Sequence, residues 1–257
     1  MSAGNPPVWV FLRGLGREKG HWGSFVEEFK SAFPGEEVLC VDLPGAGDAR
    51  DVPPPTSLTD MTEFVRNQVH QLVDKDRPVN LLSISLGGMI TLEWMRRHPQ
   101  ELHFAVIMNT SAAGLTPFYR RLRLSAAPRF FSSALVRDPH LRERRIVDLI
   151  SNRREVHDQV AAEWHELGIK RPVNRRSVAR QLLAASRFRL PRQMPQIPTL
   201  LMVGQGDRLV HPECTEALHR HYGWDIARHP WAGHDLPLDD APWIFNQIRK
   251  WRNHQGF

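Results

Sequence analysis

The chain has 257 residues, 41% of them hydrophobic and 24% charged, enough apolar material for one large α/β domain with a sizeable core. No apolar run reaches the roughly 20 residues of a membrane span. The opening Met1-Ser2-Ala3-Gly4-Asn5-Pro6-Pro7 lacks a signal-peptide pattern, and Cys40 and Cys214 fit no disulfide or metal framework, so a cytoplasmic protein is expected. The net charge of +6 is unevenly placed, because Ser111 to Arg192 holds eighteen basic and seven acidic residues while the remainder is net acidic.

Val8 to Leu12 is an apolar run between Pro7 and Gly14, the pattern of a buried strand, and Arg13-Gly14-Leu15-Gly16 is a turn. Trp22, Phe25, Val26 and Phe29 recur at helical spacing. Val38 to Val41 reads as a second buried strand, stopped by Asp42-Leu43-Pro44-Gly45. Ser57 can cap the next helix, with Asp60 in the capping-box position and Leu58, Met61, Val65, Val69 and Leu72 on its apolar face. Val79 to Ile84 is a strand that runs into a helical pattern ending near His98. Phe104 to Met108 is another strand.

The alternation then breaks. Ser111 to Arg192 shows helical patterns, such as Ile146, Leu149, Ile150, Val156, Val160, Trp164 and Leu167, and reads as a helical insertion in a core made of residues 1–110 and 193–257. A strand returns at Thr199 to Gly204. A helix follows from Pro212, then a short strand near Ile226, then a helix led by Asp240-Ala241-Pro242. Strands alternating with helices predict an α/β fold with a mostly parallel central sheet and helices on both faces.

Ligands bind such sheets at the carboxyl ends of the strands, and the chemistry-bearing residues fall there. Ser85 lies in the sharp turn from strand to helix, with small residues two before and two after it, Ser83 and Gly87, as a strained nucleophile elbow requires. Ser83 itself would have Leu81 two before it, so the register selects Ser85. A serine hydroxyl needs a base, and a histidine base needs a carboxylate behind it. Asp207 and His234 follow later strands in the order nucleophile, acid, base. Asp235 is a rival acid, but it adjoins His234 too closely in the loop to face the same ring. Asn109 ends its strand without a carboxylate. Leu86 and Leu15 are the expected backbone N–H donors to an oxyanion. The rival reading of Gly14 and Gly16 as a phosphate loop lacks the G-x-x-x-x-G-K-[ST] pattern. His219 and His221 sit in a helical pattern with no further ligands nearby, so no metal is expected.

With these residues in place, the chain resembles the α/β-hydrolase superfamily over nearly its whole length. The matching pieces are Arg13-Gly14-Leu15-Gly16 with Trp22 downstream, Asp42-Leu43-Pro44-Gly45, Ser83-Ile84-Ser85-Leu86-Gly87-Gly88, Gly206-Asp207 and Gly233-His234. The pattern most resembles small bacterial carboxylesterases with a helical lid, including the pimeloyl-carrier-protein methyl ester esterases. Arg13 stands where many members have histidine, and Ser83 replaces a glycine. The resemblance implies a cofactor-free serine hydrolase acting on carboxylic esters, with thioesters or monoacyl lipids as close alternatives. A non-catalytic binding protein on the same fold is the rival from another class. It also implies that residues 111–192 form a lid. Trp22, Phe118 and Trp164 are then candidates for substrate contact, and Leu115, Phe130, Phe131 and Leu135 for an acyl pocket. The basic insertion is a solvated surface on its simplest reading. Beyond that it could steer an acidic acyl carrier protein or an anionic membrane surface. No nucleic-acid motif accompanies the charge.

Overall fold

The apolar runs become strands. In the computed structural model, which describes residues 6–133 and 136–257, they are β1 (Val8–Leu12), β2 (Val38–Val41), β3 (Val79–Ile84), β4 (Leu102–Met108), β5 (Thr199–Gly204) and β6 (Asp225–His229). Every residue of β1, β3 and β5 is buried, which is why these strands read as unbroken apolar runs. The order across the sheet is β2-β1-β3-β4-β5-β6, and every pairing is parallel. Parallel neighbours need crossovers, and helices supply them.

Three helices precede the insertion: α1 (Phe25–Ala32), α2 (Leu58–Leu72) and α3 (Leu86–Arg97). Side chains alternate across a strand, so each strand feeds two cores. Val8, Val10 and Leu12 pack on one face with α2 and α3, while Trp9 and Phe11 pack on the other with α1. Burying each such large side chain contributes about 1.5–3 kcal/mol. Ser57 caps α2 by accepting from the Asp60 N–H at 3.5 Å. Trp22 does not belong to α1, as its spacing suggested. It ends a short 3-10 turn, Lys19–Trp22, and Ser24 precedes the true start at Phe25.

Between β4 and β5 the described residues form five helices: α4 (Phe118–Arg121), α5 (Ala127–Ser133), α6 (Pro139–Ile150), α7 (His157–Lys170) and α8 (Arg175–Arg187). Ala126, Val147, Leu149, Ile150, Val160, Ala161 and Trp164 make a small core within this insertion. Helix α8 behaves differently, since Ala184, Ala185 and the adjoining Phe188 join the main core with α2 and α3. Three helices close the chain: α9 (Glu213–Tyr222), α10 (Leu236–Asp239) and α11 (Ala241–Gln255). Helix α11 covers the face that α1 covers. Among the described residues no helix is long and apolar enough to cross a membrane.

Candidate active site

Ser85 occupies the single residue between β3 and α3, with φ 56° and ψ −115°. A side chain held at positive φ costs about 1–3 kcal/mol, so its surroundings must enforce the turn. They do so by close approach. A Cβ on Gly87 would fall 2.4 Å from the Leu12 carbonyl oxygen, so α3 can seat on the end of β1 only with glycine there. The Ser85 N–H donates to the Met108 carbonyl at 3.0 Å, and the Thr110 hydroxyl donates to the Ser85 carbonyl at 2.8 Å. Ser83, the departure from glycine, is fully buried, and its oxygen accepts from the Thr91 hydroxyl at 2.8 Å. The extra hydroxyl is therefore satisfied in place.

The other two candidates meet directly. His234 Nδ1 donates to Asp207 Oδ2 at 2.7 Å, and both residues are buried. Asp207 Oδ1 accepts the Leu209 and Val210 N–H groups at 2.8 and 2.9 Å, which fixes the carboxylate. Burial pulls the His234 pKa down. The charge and hydrogen bond of Asp207, with Asp235 behind them, outweigh burial and raise it above its ordinary 6.5. Ser85 Oγ makes no hydrogen bond to His234 here; such bonds are often long before substrate arrives. Leu86 is the first residue of α3, so its N–H has no partner within the helix. Leu15 lies in a turn closed by the Arg17 N–H on the Gly14 carbonyl at 3.2 Å, with Gly16 at φ 63°. That turn abuts the serine, for a Cβ on Gly14 would lie 3.2 Å from Ser85 Cβ.

Several residues that hold these loops were passed over in the sequence. Asn109, set aside for lacking a carboxylate, sits at φ 46° at the end of β4. Its Nδ2 donates to the Gly233 and His234 carbonyls at 3.0 and 2.8 Å, and its Oδ1 accepts the Gly204 N–H at 3.0 Å. Asp239 accepts the Gly233 N–H and the Ser151 hydroxyl at 2.6 Å each, and the Asn152 and Arg153 N–H groups at 3.1 and 3.2 Å. Asn152 Nδ2 donates to the Gly206 and Trp231 carbonyls. The insertion thus braces both loops that carry Asp207 and His234. Asp235, the rival acid, turns away to a buried two-point pair with Arg13, at 3.2 and 2.5 Å. An asparagine just past a strand was the one readable signal here, since Asn tolerates the left-handed region.

A second Ser-His-Asp set lies in the insertion. Ser151 Oγ is 3.1 Å from His157 Nε2, and His157 Nδ1 is 2.8 Å from Asp148. Ser151 is wholly buried and donates its proton to Asp239, so the set is scaffolding.

The expected substrate contacts sit in different surroundings. Trp22 is core packing, stacked on Phe25 with the Arg13 guanidinium 4.8 Å above its ring. Phe118 is 78% exposed, because α4 is too short to bury both faces. Trp164 is buried against the His21 ring and the Arg17 guanidinium, both beside the Leu15 turn. Phe131 faces solvent, Phe130 packs on the insertion's core and Leu115 on the main core, and Leu135 lies outside the described residues. Two surface clefts, one at Lys75–Pro78 with Gln100 and Glu101 and one at Gly20 with Ala162–Lys170, are lined by none of Ser85, Asp207 and His234.

A model of the alpha/beta hydrolase family matches residues 9–245. The chain is 30% identical over 169 residues to the biotin biosynthesis bifunctional protein BioHC of Teredinibacter turnerae; the match takes in 60% of this chain and spans only 28% of that protein. Among solved structures, the enol-lactonase from Burkholderia xenovorans LB400 superposes with a TM-score of 0.75 at 19% identity, covering 98% of this chain and 94% of that one. The thermophilic esterase from Thermogutta terrifontis gives a TM-score of 0.73 at 21% identity, covering 98% and 91%.

Proposed function

The chain belongs to the alpha/beta hydrolase family, and on that footing we propose that it is a serine hydrolase that cleaves carboxylic esters through an acyl-enzyme. Ser85 Oγ attacks the acyl carbon while His234 Nε2 takes its proton. Asp207 holds the ring from the other side and stabilises the imidazolium. The Leu86 and Leu15 N–H groups stabilise the oxyanion. When the oxyanion collapses, the ester C–O bond breaks and His234 protonates the leaving alcohol. Water, deprotonated by His234, then attacks the acyl-enzyme, releasing the acid and returning the proton to Ser85. No cofactor enters this scheme.

The observation that carries the reading is the 2.7 Å bond from His234 to Asp207, taken with a serine held at φ 56° in the turn after β3. Thioesters are open to the same apparatus. The insertion, residues 111–192, would roof the site, with Trp22, Phe118 and Trp164 as candidate substrate contacts, Trp164 packing on Arg17 of the oxyanion turn. Its uncompensated arginines, Arg129 and Arg145 among them, would draw in an acidic partner such as an acyl carrier protein or an anionic surface. A cytoplasmic setting is part of the proposal and agrees with two free thiols. Replacing Ser85→Ala tests the scheme. Hydrolysis of p-nitrophenyl esters should fall by at least 10³-fold with the far-ultraviolet circular dichroism unchanged; turnover near wild type would place the nucleophile elsewhere.

A further inference from the structure

Leu15 lies between two glycines, Gly14 and Gly16, so its turn has little stiffness of its own. Among the described residues, the backbone bond that closes it, from the Arg17 N–H to the Gly14 carbonyl, is 3.2 Å long. Something outside the turn has to hold it, and helix α8 of the insertion reaches it.

Gln181 of α8 is fully buried. Its Oε1 accepts the Gly16 N–H at 2.9 Å, and its Nε2 donates to the Pro44 carbonyl at 2.8 Å. One side chain therefore ties the oxyanion turn to the loop after β2. The backbones are shaped for this approach. A Cβ on Gly16 would meet Val178 at 3.2 Å, and one on Gly45 would meet Ser177 at 2.7 Å, so α8 packs against two glycines held at positive φ. Helix α8 is itself fixed. The Asn174 side chain caps it by accepting the Arg176 N–H, Arg180 donates to the Pro54 carbonyl at 2.5 Å, and Ala184 and Ala185 belong to the main core.

We propose that Gln181 is a positioning residue for the oxyanion hole: from the insertion it fixes the turn whose Leu15 N–H receives the developing charge. The inference rests on the Ser85 mechanism above. It also means that α8 stays docked throughout turnover. Together with the Ile150–Arg153 segment bonded to the Asp207 and His234 loops, it makes the insertion a brace with two fixed anchors.

The test uses the full chain carrying Gln181→Met, which keeps the volume and removes both hydrogen bonds. With a p-nitrophenyl ester, kcat should fall about tenfold or more while KM changes less than twofold, since the lost interaction serves the transition state. Inhibition by a trifluoromethyl ketone, whose adduct carries an oxyanion, should weaken by the same factor as kcat. Gly16→Ala strains the same turn at positive φ and presses on Val178 of α8 while leaving Gln181 in place; it should repeat the kcat-selective loss, which decides the matter if Gln181→Met folds poorly. Wild-type kcat in both variants overturns the inference, and so does a rise in KM with kcat held. Ser85→Ala run alongside separates the two ideas: if it retains turnover, the mechanism fails; if it is inactive while the turn variants are normal, only the positioning role fails.

Discussion

His234 lies next to two aspartates and uses them differently. Asp207 accepts a hydrogen bond from its Nδ1–H, while Asp235 pairs with the buried Arg13. Its raised pKa has a direct consequence for rate. The ring must be neutral to accept the Ser85 proton, so kcat/KM should rise with pH through an inflection above 6.5. The same shift makes the protonated ring stabilise the fold, a contribution complete below 6.5 and lost as pH rises through the shifted value. Asp207→Asn removes the largest raising influence. Its pH–rate profile should inflect lower than the wild type's, with kcat down on the order of 10⁴-fold as the wrong tautomer prevails. A profile that keeps its inflection would deny Asp207 this role.

At the level of elements, the ends of the strands do the assembling. The end of β4 supplies no catalytic group, yet Asn109 there joins the start of the His234 loop to the end of β5 through three buried hydrogen bonds. Asn109→Ala leaves those carbonyls and the Gly204 N–H without partners, and should cost about 3 kcal/mol by urea unfolding, with kcat reduced as His234 loosens. A loss under about 0.5 kcal/mol would mean that Asp239 suffices alone. The alternating strands and helices were legible because both faces of the sheet are covered, which writes the inner strands β1, β3 and β5 as apolar runs, whereas the edge strand β6, Asp225–His229, showed only Ile226. Ser85, Asp207 and His234 could be proposed as a site from sequence because parallel strands bring their carboxyl ends to one edge, and the structure pairs His234 with Asp207. The braces were not. Arg13 and Asp235 meet across 222 residues, and Gln181 reaches Gly16 across 165. Nothing local marks either pair. Trp22 misled as a helix residue because the helical period runs through a 3-10 turn.

For the molecule as a whole, the basic count of the insertion overstates its free charge. Arg144 pairs with Asp148 and Asp158, Arg171 with Glu18 and Asp48, and Arg142 lies near Glu143. Arg121 donates to the Ala185 and Ser186 carbonyls, and Arg123 to the carbonyl of Asp207 itself. The exposed ones, such as Arg144 with Asp158, contribute little to stability, roughly 0–1 kcal/mol each. Of these contacts only those of Arg171 and Arg123 join the insertion to the rest of the chain; the others tie the insertion to itself. On the proposed mechanism everything turns on Ser85 as the nucleophile. The most direct measurement is reaction of the wild-type chain with a fluorophosphonate, followed by peptide mass spectrometry, alongside hydrolysis of p-nitrophenyl esters of graded chain length. The account predicts one adduct, on the peptide bearing Ser85, formed in step with the loss of hydrolysis. An adduct on another residue, or hydrolysis that survives full modification of Ser85, would contradict it.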